Sequence, residues 1–140
     1  MDFIPVSTLH ATFLYHLFQE RDKESWISTN DLPTWEEHYA FVERHPYREW
    51  WVIYVDSKPV GSIYLGKDNS VGVVIAKDHR RSGYAKQAIE RVLRDNDPLP
   101  AIKSVRAGHF IANIKEGNEA SEALFTACGF EPIQRTWGLK

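Results

Sequence analysis

Six consecutive residues, Arg80-Arg81-Ser82-Gly83-Tyr84-Ala85, lead from a β-branched run into the most regular helical pattern of the chain. The first backbone N–H groups of a helix lack intrahelical partners and together carry about half a positive charge, so such a terminus is a natural seat for an anion. Gly83 allows a positive φ and close approach to the backbone, and Ala85 keeps the first turn free of bulk. Arg80 and Arg81 add charge-assisted contacts at the rim. The chemistry this spacing supports is phosphate binding, most naturally of a pyrophosphate. Arginines and a glycine before a helix are also the make-up of a solvated loop, so context must decide. Neither G-x-x-x-x-G-K-[ST] nor G-x-G-x-x-G occurs, so this is not a Walker loop or a dinucleotide fingerprint.

The elements on either side supply that context. Residues 85–93 place Ala85, Ala88, Ile89, Val92 and Leu93 on one face, with Lys86, Gln87, Glu90 and Arg91 opposite, as an amphipathic helix requires. Before the loop, residues 49–55, 60–65 and 71–76 are rich in β-branched and aromatic residues. The turns Asp56-Ser57-Lys58-Pro59 and Lys67-Asp68-Asn69-Ser70 join them, which predicts an antiparallel meander. Upstream, Ser7 can cap a helix that buries Leu9, Phe13, Leu14, Leu17 and Phe18 and ends near Glu20. Thr34 and Glu37 have capping-box spacing for a second helix, stopped by Pro46. After the Asp95–Pro100 break, alternation predicts strands over residues 104–113 and about 131–138, separated by a helix capped by Asn118 and ended by Gly129.

With 140 residues the chain fits one domain, and its 43% hydrophobic and 26% charged composition is that of a globular protein. A net charge of −2 argues against a nucleic-acid surface and leaves a small partner as the expectation. A nucleic-acid module built on Arg80 and Arg81 would need salt-dependent binding to stand. Cys128 is the only cysteine, which rules out an internal disulfide and a multi-thiolate metal cluster, and suits a reducing cytoplasm. No signal-peptide pattern or membrane-length apolar run appears, so a soluble protein is expected. The histidines show no metal-ligand pairing, and no metal is expected.

The loop resembles the R/Q-x-x-G-x-G/A motif of the GNAT superfamily of acyl-CoA-dependent N-acetyltransferases. A second pattern of that family, N-x-x-[SA]-x-x-L-[YF]-x-x-x-G-F, is matched by Asn118, Ser121, Leu124, Phe125, Gly129 and Phe130. The order of elements is similar too. The resemblance implies an α/β fold: a GNAT-like mixed, largely antiparallel central sheet, splayed between the fourth and fifth strands and flanked by about four helices. It also implies acetyl-CoA as acyl donor, its pyrophosphate on the N–H groups of Arg80, Arg81, Ser82, Gly83, Tyr84 and Ala85. The pantetheine arm would pair with backbone groups of Val73, Val74 and Ile75, with Asn118 and Ser121 facing it.

In this family the amine attacks the thioester directly, so the protein must align it, deprotonate it, stabilise the oxyanion and see the thiolate protonated. Cys128 therefore reads as a packed residue, not a nucleophile. Relatives carry Tyr where Phe125 stands and Glu where Asn113 or Ser70 stands. His109, four residues before Asn113 on the same expected strand face, is the most economical base, with Asn113 as a positioning group, although a lone strand histidine is more often structural. Trp50, Trp51, Tyr54 and Tyr64 on the strands, and Trp26 and Trp35 in the helical front, read mainly as core. Trp50 and Trp51 must face opposite ways, and one of them can line an acceptor pocket. Glu36, Glu37 and His38 form either a solvated helix face or a site for a cationic amine.

The expected activity is acetyl transfer to a primary amine, either a small molecule such as an amino sugar or a protein N-terminus. A non-catalytic acyl-CoA-binding sensor is the alternative that the missing Tyr and Glu suggest. Because relatives often end in a two-stranded hairpin and only residues 131–140 follow the last motif, a homodimer that completes the acceptor wall is a further expectation.

Overall fold

A computed structural model describes residues 1–21 and 32–140, so Trp26 lies outside the described residues. The chain order is β1 (Asp2–Pro5), α1 (Ala11–Glu20), α2 (Trp35–Arg44), β2 (Glu49–Val55), β3 (Lys58–Leu65), β4 (Val71–Ile75), α3 (Tyr84–Asp95) and α4 (Glu119–Ala127). The four strands form one antiparallel sheet in the order β1-β2-β3-β4. No helix among the described residues is long and apolar enough to cross a membrane.

Strand alternation divides the core in two. Trp50 and Val52 of β2 turn to the face covered by α1 and α2, where they meet Leu14, Leu17 and Val42. Ile53 of β2, Ile63 of β3 and Val71 of β4 turn to the opposite face, under Ala88, Ile89 and Val92 of α3 and Phe125 of α4. Trp50 is accordingly buried among the rings of Phe41 and Tyr47, whereas Trp51 packs beside Phe3 with ring centroids 5.6 Å apart. The β2–β3 turn is tight because Asp56 and Ser57 both take left-handed φ, 50° and 64°, the geometry that matches strand twist.

Local signals account for the helix ends. Thr34 Oγ1 accepts from Glu37 N–H while Glu37 Oε1 accepts from Thr34 N–H, so α2 starts with the expected capping box. Asn118 Oδ1 accepts from Ser121 N–H, and Gly129 takes φ 93° just beyond α4. The first helix differs from its expected extent. Ser7 and His10 close a capping box around a 3-10 turn, and α1 begins only at Ala11. Leu9 is therefore displaced from the apolar stripe and is 92% exposed.

β1 has no counterpart in the sequence pattern. Four residues ending in proline are too few for alternation to be visible, and the interactions that hold them are non-local. Residues 2–5 pair with residues 51–54, Arg91 Nη1 donates to the Met1 carbonyl at 2.7 Å, and the Arg91 guanidinium lies 4.2 Å over the Phe3 ring.

The two strands expected after α3 are not formed among the described residues. Of 104–113, only Ile111 pairs with the sheet, in a parallel bridge to Ser70: its N–H donates to Asn69 O at 3.0 Å and its carbonyl accepts from Val71 N–H at 2.8 Å. Residues 102–106 instead fold back on themselves through an Ile102–Arg106 bridge, with Ser104 at φ 63°. A strand needs a continuous ladder, and here the segment departs from β4 after one rung. The splay between a fourth and a fifth strand thus becomes a separation between β4 and an irregular segment. Residues 131–140 form neither helix nor strand and are exposed.

Asn69 anchors that departing segment. It is fully buried at φ 71°; its Nδ2 donates to the carbonyls of Leu99 and Ala107 at 3.0 and 2.8 Å, and its Oδ1 accepts from Leu99 N–H at 2.7 Å. One side chain therefore holds both ends of residues 99–107 to the β3–β4 turn. Asn69→Ala leaves those three part-buried groups without their partner, and should lower unfolding free energy by about 1–3 kcal/mol in denaturant titration, with faster amide exchange at residues 99–111.

Candidate functional site

The alternation of β4 decides which backbone groups are free. Val71 N–H points away from β3 to Ile111, and Ala76 N–H points back to the Val60 carbonyl of β3. Odd-numbered residues of β4 therefore present N–H and C=O to the outer edge, and even-numbered ones bond β3. Beyond the single rung at Ile111, the outer edge offers Val73 N–H, Val73 C=O and Ile75 N–H. The Ile75 carbonyl is taken by Arg80 Nε at 3.1 Å. Val74 sits opposite Ser62 in the ladder and turns its backbone inward, so the expected row of three pairing residues is reduced to Val73 and Ile75.

At the end of this edge the chain makes a 3-10 turn over Lys77–His79, passes Arg81 at φ 63° and enters α3 through Gly83 at φ 78°. No side chain caps α3. The first helical bond runs from Gln87 N–H to Gly83 O at 3.1 Å, which leaves the N–H groups of the preceding turn facing outward. A Cβ built on Gly83 would meet only Gln87 Nε2, at 3.5 Å, so glycine is required here by its backbone angle and not by crowding.

The strand edge and the helix terminus face one cavity of about 310 Å³, lined by Val73, Ile75, Arg80, Arg81, Gly83, Tyr84 and Ala85, with His79, Lys86 and Leu124. An open hydrogen-bonding edge at one end and uncovered amides with arginines at the other suit an elongated ligand with an amide-bearing arm and an anionic head. Val74, Ser82, Asn118 and Ser121, also expected at the site, are not in its wall. Asn118 serves as cap of α4, and the α4 side chain that reaches the cavity is Leu124. His79, Lys86 and Leu124 join the wall without having been expected there; His79 and Lys86 directly flank the loop motif, and Leu124 belongs to the second family pattern.

The expected catalytic pair fares differently. His109 and Asn113 are both exposed, and His109 Nδ1 donates to the carbonyl of neighbouring Phe110 at 3.1 Å. The strand face on which they were to align is not formed. Phe125, where the family pattern allows Tyr, is buried with its ring edge on Phe130 at 5.1 Å. Burial pushes the half-buried Cys128 thiol up, and the Glu90 carboxylate adds to the effect, so a thiolate is disfavoured.

On the opposite sheet face, Tyr47 and Tyr64 stack in parallel with centroids 3.9 Å apart, and Tyr64 covers Gly72, where a Cβ would strike its ring. Burial first, then the Tyr64 phenol beside Tyr47 and the Asp68 carboxylate near Tyr64, hold both phenols above the usual range against the Arg21 charge. Tyr47 lies outside any strand pattern, so the stack has no signature in the periodicity; a glycine inside β4 was the available hint of close approach. His38, expected on a solvated face or at a cationic amine, is instead 1% exposed. Its Nε2–H donates to the Ala11 carbonyl at 2.8 Å, and the rings of Tyr15, Phe18 and Trp35 surround it.

A model of the acetyltransferase (GNAT) domain matches residues 2–131. The chain belongs to the GNAT acetyltransferase family. No protein of curated function matches the sequence. Among solved structures, this GNAT domain is similar to an acetyltransferase from Thermus thermophilus, with TM-score 0.72 and 22% identity over 95% of this chain and 88% of that one. It is also similar to the microcin C7 self-immunity acetyltransferase MccE, solved with acetyl-CoA and AMP, at TM-score 0.68 and 15% identity over 91% and 77% of the two chains. A ribosomal-protein-alanine N-acetyltransferase from Brucella melitensis gives TM-score 0.67 and 20% identity over 94% and 85%.

Two histidines, buried His38 and half-buried His10, set an acid limit on this GNAT fold. Burial depresses the pKa of His38, against its bond to Ala11, and of His10, whose Nδ1 accepts from Ser7 N–H at 3.1 Å. Both are lowered in the folded state, so their contribution is complete above the ordinary histidine pKa of about 6.5 and is lost as pH falls below it. Thermal denaturation should show Tm falling between pH 7.5 and 5, with a shallower fall in His38→Gln, which keeps a donor for Ala11 O without a titrating ring.

Proposed function

We propose that this protein transfers the acetyl group of acetyl-CoA to a primary amine by direct attack on the thioester. The observation that carries the reading is the continuity of two sets of uncovered backbone groups, the outer edge of β4 and the first turn of α3, along one cavity. In this reading the amides of residues 83–86, with Arg81 and the free end of the Arg80 guanidinium, take the pyrophosphate. Ser82, next to the seat, adds its hydroxyl or N–H. Val73 N–H and C=O and Ile75 N–H hold the pantetheine arm as an added strand and fix the thioester beyond Val73. Tyr84 and Ala85 flank the seat, and Asn118 and Ser121 stabilise the start of α4 behind Leu124. When bound, acetyl-CoA supplies the activated acyl group.

The acceptor is a small amine or a protein N-terminus. Solved relatives of similar fold that act on spermidine and on ribosomal-protein alanine support an amine as the acceptor class. His109 Nε2 is uncommitted and is assigned as base, directly or through water, with Asn113 positioning the acceptor. The single cysteine fits a cytoplasmic setting. A second reading, a non-catalytic acyl-CoA sensor, is favoured by Phe125, whose position supplies no hydroxyl to protonate the leaving thiolate.

Release of free thiol from acetyl-CoA over a panel of amines separates the two. The transferase reading expects turnover with at least one amine; binding in calorimetry without turnover across the panel supports the sensor, and absence of both refutes each. Gly83→Val, which strains φ 78° and covers the seat, should weaken acetyl-CoA binding by roughly tenfold to a hundredfold, the loss of one or two charge-assisted hydrogen bonds.

A further inference from the structure

Tyr64 reaches across the sheet from β3 to β4. It is paired with Gly72 in the β3–β4 ladder and lies on the face covered by α1 and α2. A Cβ on Gly72 would overlap Cε1 and Cζ of its ring and stand 2.6 Å from its Oη. The phenol thus ends over Gly72, its hydroxyl within about 4 Å of that Cα, one C–C bond further on. Glycine inside a strand weakens it, and here the missing side chain is what lets the ring lie across the strand. The Tyr47 ring, stacked on it with centroids 3.9 Å apart, holds it there.

The opening beside β4 ends at the same residue. Val71 N–H is bonded to the Ile111 carbonyl, so Val73 is the first residue of β4 whose outward groups are uncovered. An arm that enters from the α3 end and pairs with Ile75 and Val73 must place its last atoms beside Gly72, against the Ile111 rung. That is where the Tyr64 hydroxyl lies. Among the described residues neither the Tyr47 nor the Tyr64 hydroxyl has a hydrogen-bond partner, and His38 Nδ1 is the one fully buried side-chain polar atom left unpaired. Both phenol oxygens are therefore within reach of solvent or of a ligand. Burial holds the Tyr64 phenol above its usual range, which keeps it protonated, and a donor, through neutral pH.

We propose that Tyr64 Oη–H donates a hydrogen bond to the acyl carbonyl oxygen of bound acetyl-CoA and to the oxyanion this oxygen becomes during acetyl transfer. The inference rests on the acetyl-transfer reading and deepens it by naming a catalytic hydroxyl on β3, outside both sequence motifs. As the amine nitrogen bonds the carbonyl carbon, the C=O electron pair moves onto oxygen, where the fixed donor stabilises the charge. When that pair re-forms C=O, the C–S bond breaks and its electrons leave on sulfur. The amine's proton passes to the base, and the sulfur takes a proton from water. Tyr64 keeps its own proton throughout.

Tyr64→Phe removes the hydroxyl and keeps the stacked ring. Isotope-edited infrared spectra of carbonyl-labelled acetyl-CoA bound to the full chain should show the carbonyl band at lower frequency in the wild type than in Tyr64→Phe, with the Tyr47→Phe band at the wild-type position. Affinity for acetyl-CoA should fall by about twofold to tenfold in Tyr64→Phe, the loss of one neutral hydrogen bond, while affinity for free coenzyme A, which lacks the acyl oxygen, stays unchanged. With an amine that turns over, kcat should fall by about a hundredfold to a thousandfold while KM for acetyl-CoA changes by the smaller factor. The spectra and affinities need no acceptor. Failure of the wild type to bind acetyl-CoA would overturn the acetyl-transfer reading and this inference with it. Binding with the same carbonyl band in the wild type and Tyr64→Phe, or equal losses of affinity for acetyl-CoA and coenzyme A, would overturn the assignment of Tyr64 alone.

Discussion

Among the described residues, the outer edge of β4 has no strand beside it past Val71, and that one unmet requirement shapes the rest of the molecule. Strand edges are normally paired, covered or blunted, because a row of free N–H and C=O groups will accept any extended chain. Here the edge is kept open by construction. Ile111 bonds the first rung and then leads away, Asn69 pins the departing loop at both ends, and Arg80 closes the far end by taking the Ile75 carbonyl. The opening is thus bounded at both ends.

The loop after β4 extends the same logic from strand to helix. Two left-handed residues, Arg81 and Gly83, swing the chain so that α3 begins with its uncapped amides beside the open edge. Burial of Ala88, Ile89 and Val92 under the sheet fixes the helix axis, so the direction of its first-turn amides is set by core packing and not by the loop. His109 and Asn113, the proposed base and positioning group, are exposed in the less regular half of the chain after α3 and do not line the cavity at the open edge.

Local chemistry was legible in the sequence, and partner-dependent structure was not. The capping box at Thr34, the meander over β2 to β4 and the loop into α3 each rest on residues within a few positions of one another, and each appears close to its expected bounds. Leu9 was placed on the wrong surface because Ser7 closes a 3-10 turn that shifts the helical phase. β1 and the missing strand at 104–113 are the two sides of one difficulty: pairing is decided by a distant strand, so a short, pattern-poor segment joins the sheet while a well-patterned one does not. Val74 fell inside the expected site, yet its backbone faces β3, since parity along β4 depends on which edge is taken. Asn69 read as an ordinary turn residue and His38 as a surface one; the burial of each is set by a distant segment, 30 residues away at Leu99 and 27 residues away at Ala11.

The central claim concerns individual backbone amides, and nuclear magnetic resonance reads these one by one. Titration of the isotopically labelled protein with acetyl-CoA should shift the amides of Val73, Ile75 and residues 83–86 together, with a single affinity, while the amide of Val74 moves far less because it is bonded to β3. Saturable binding that leaves Val73, Ile75 and the first turn of α3 unmoved, or that perturbs Val74 as strongly as its neighbours, would contradict the account.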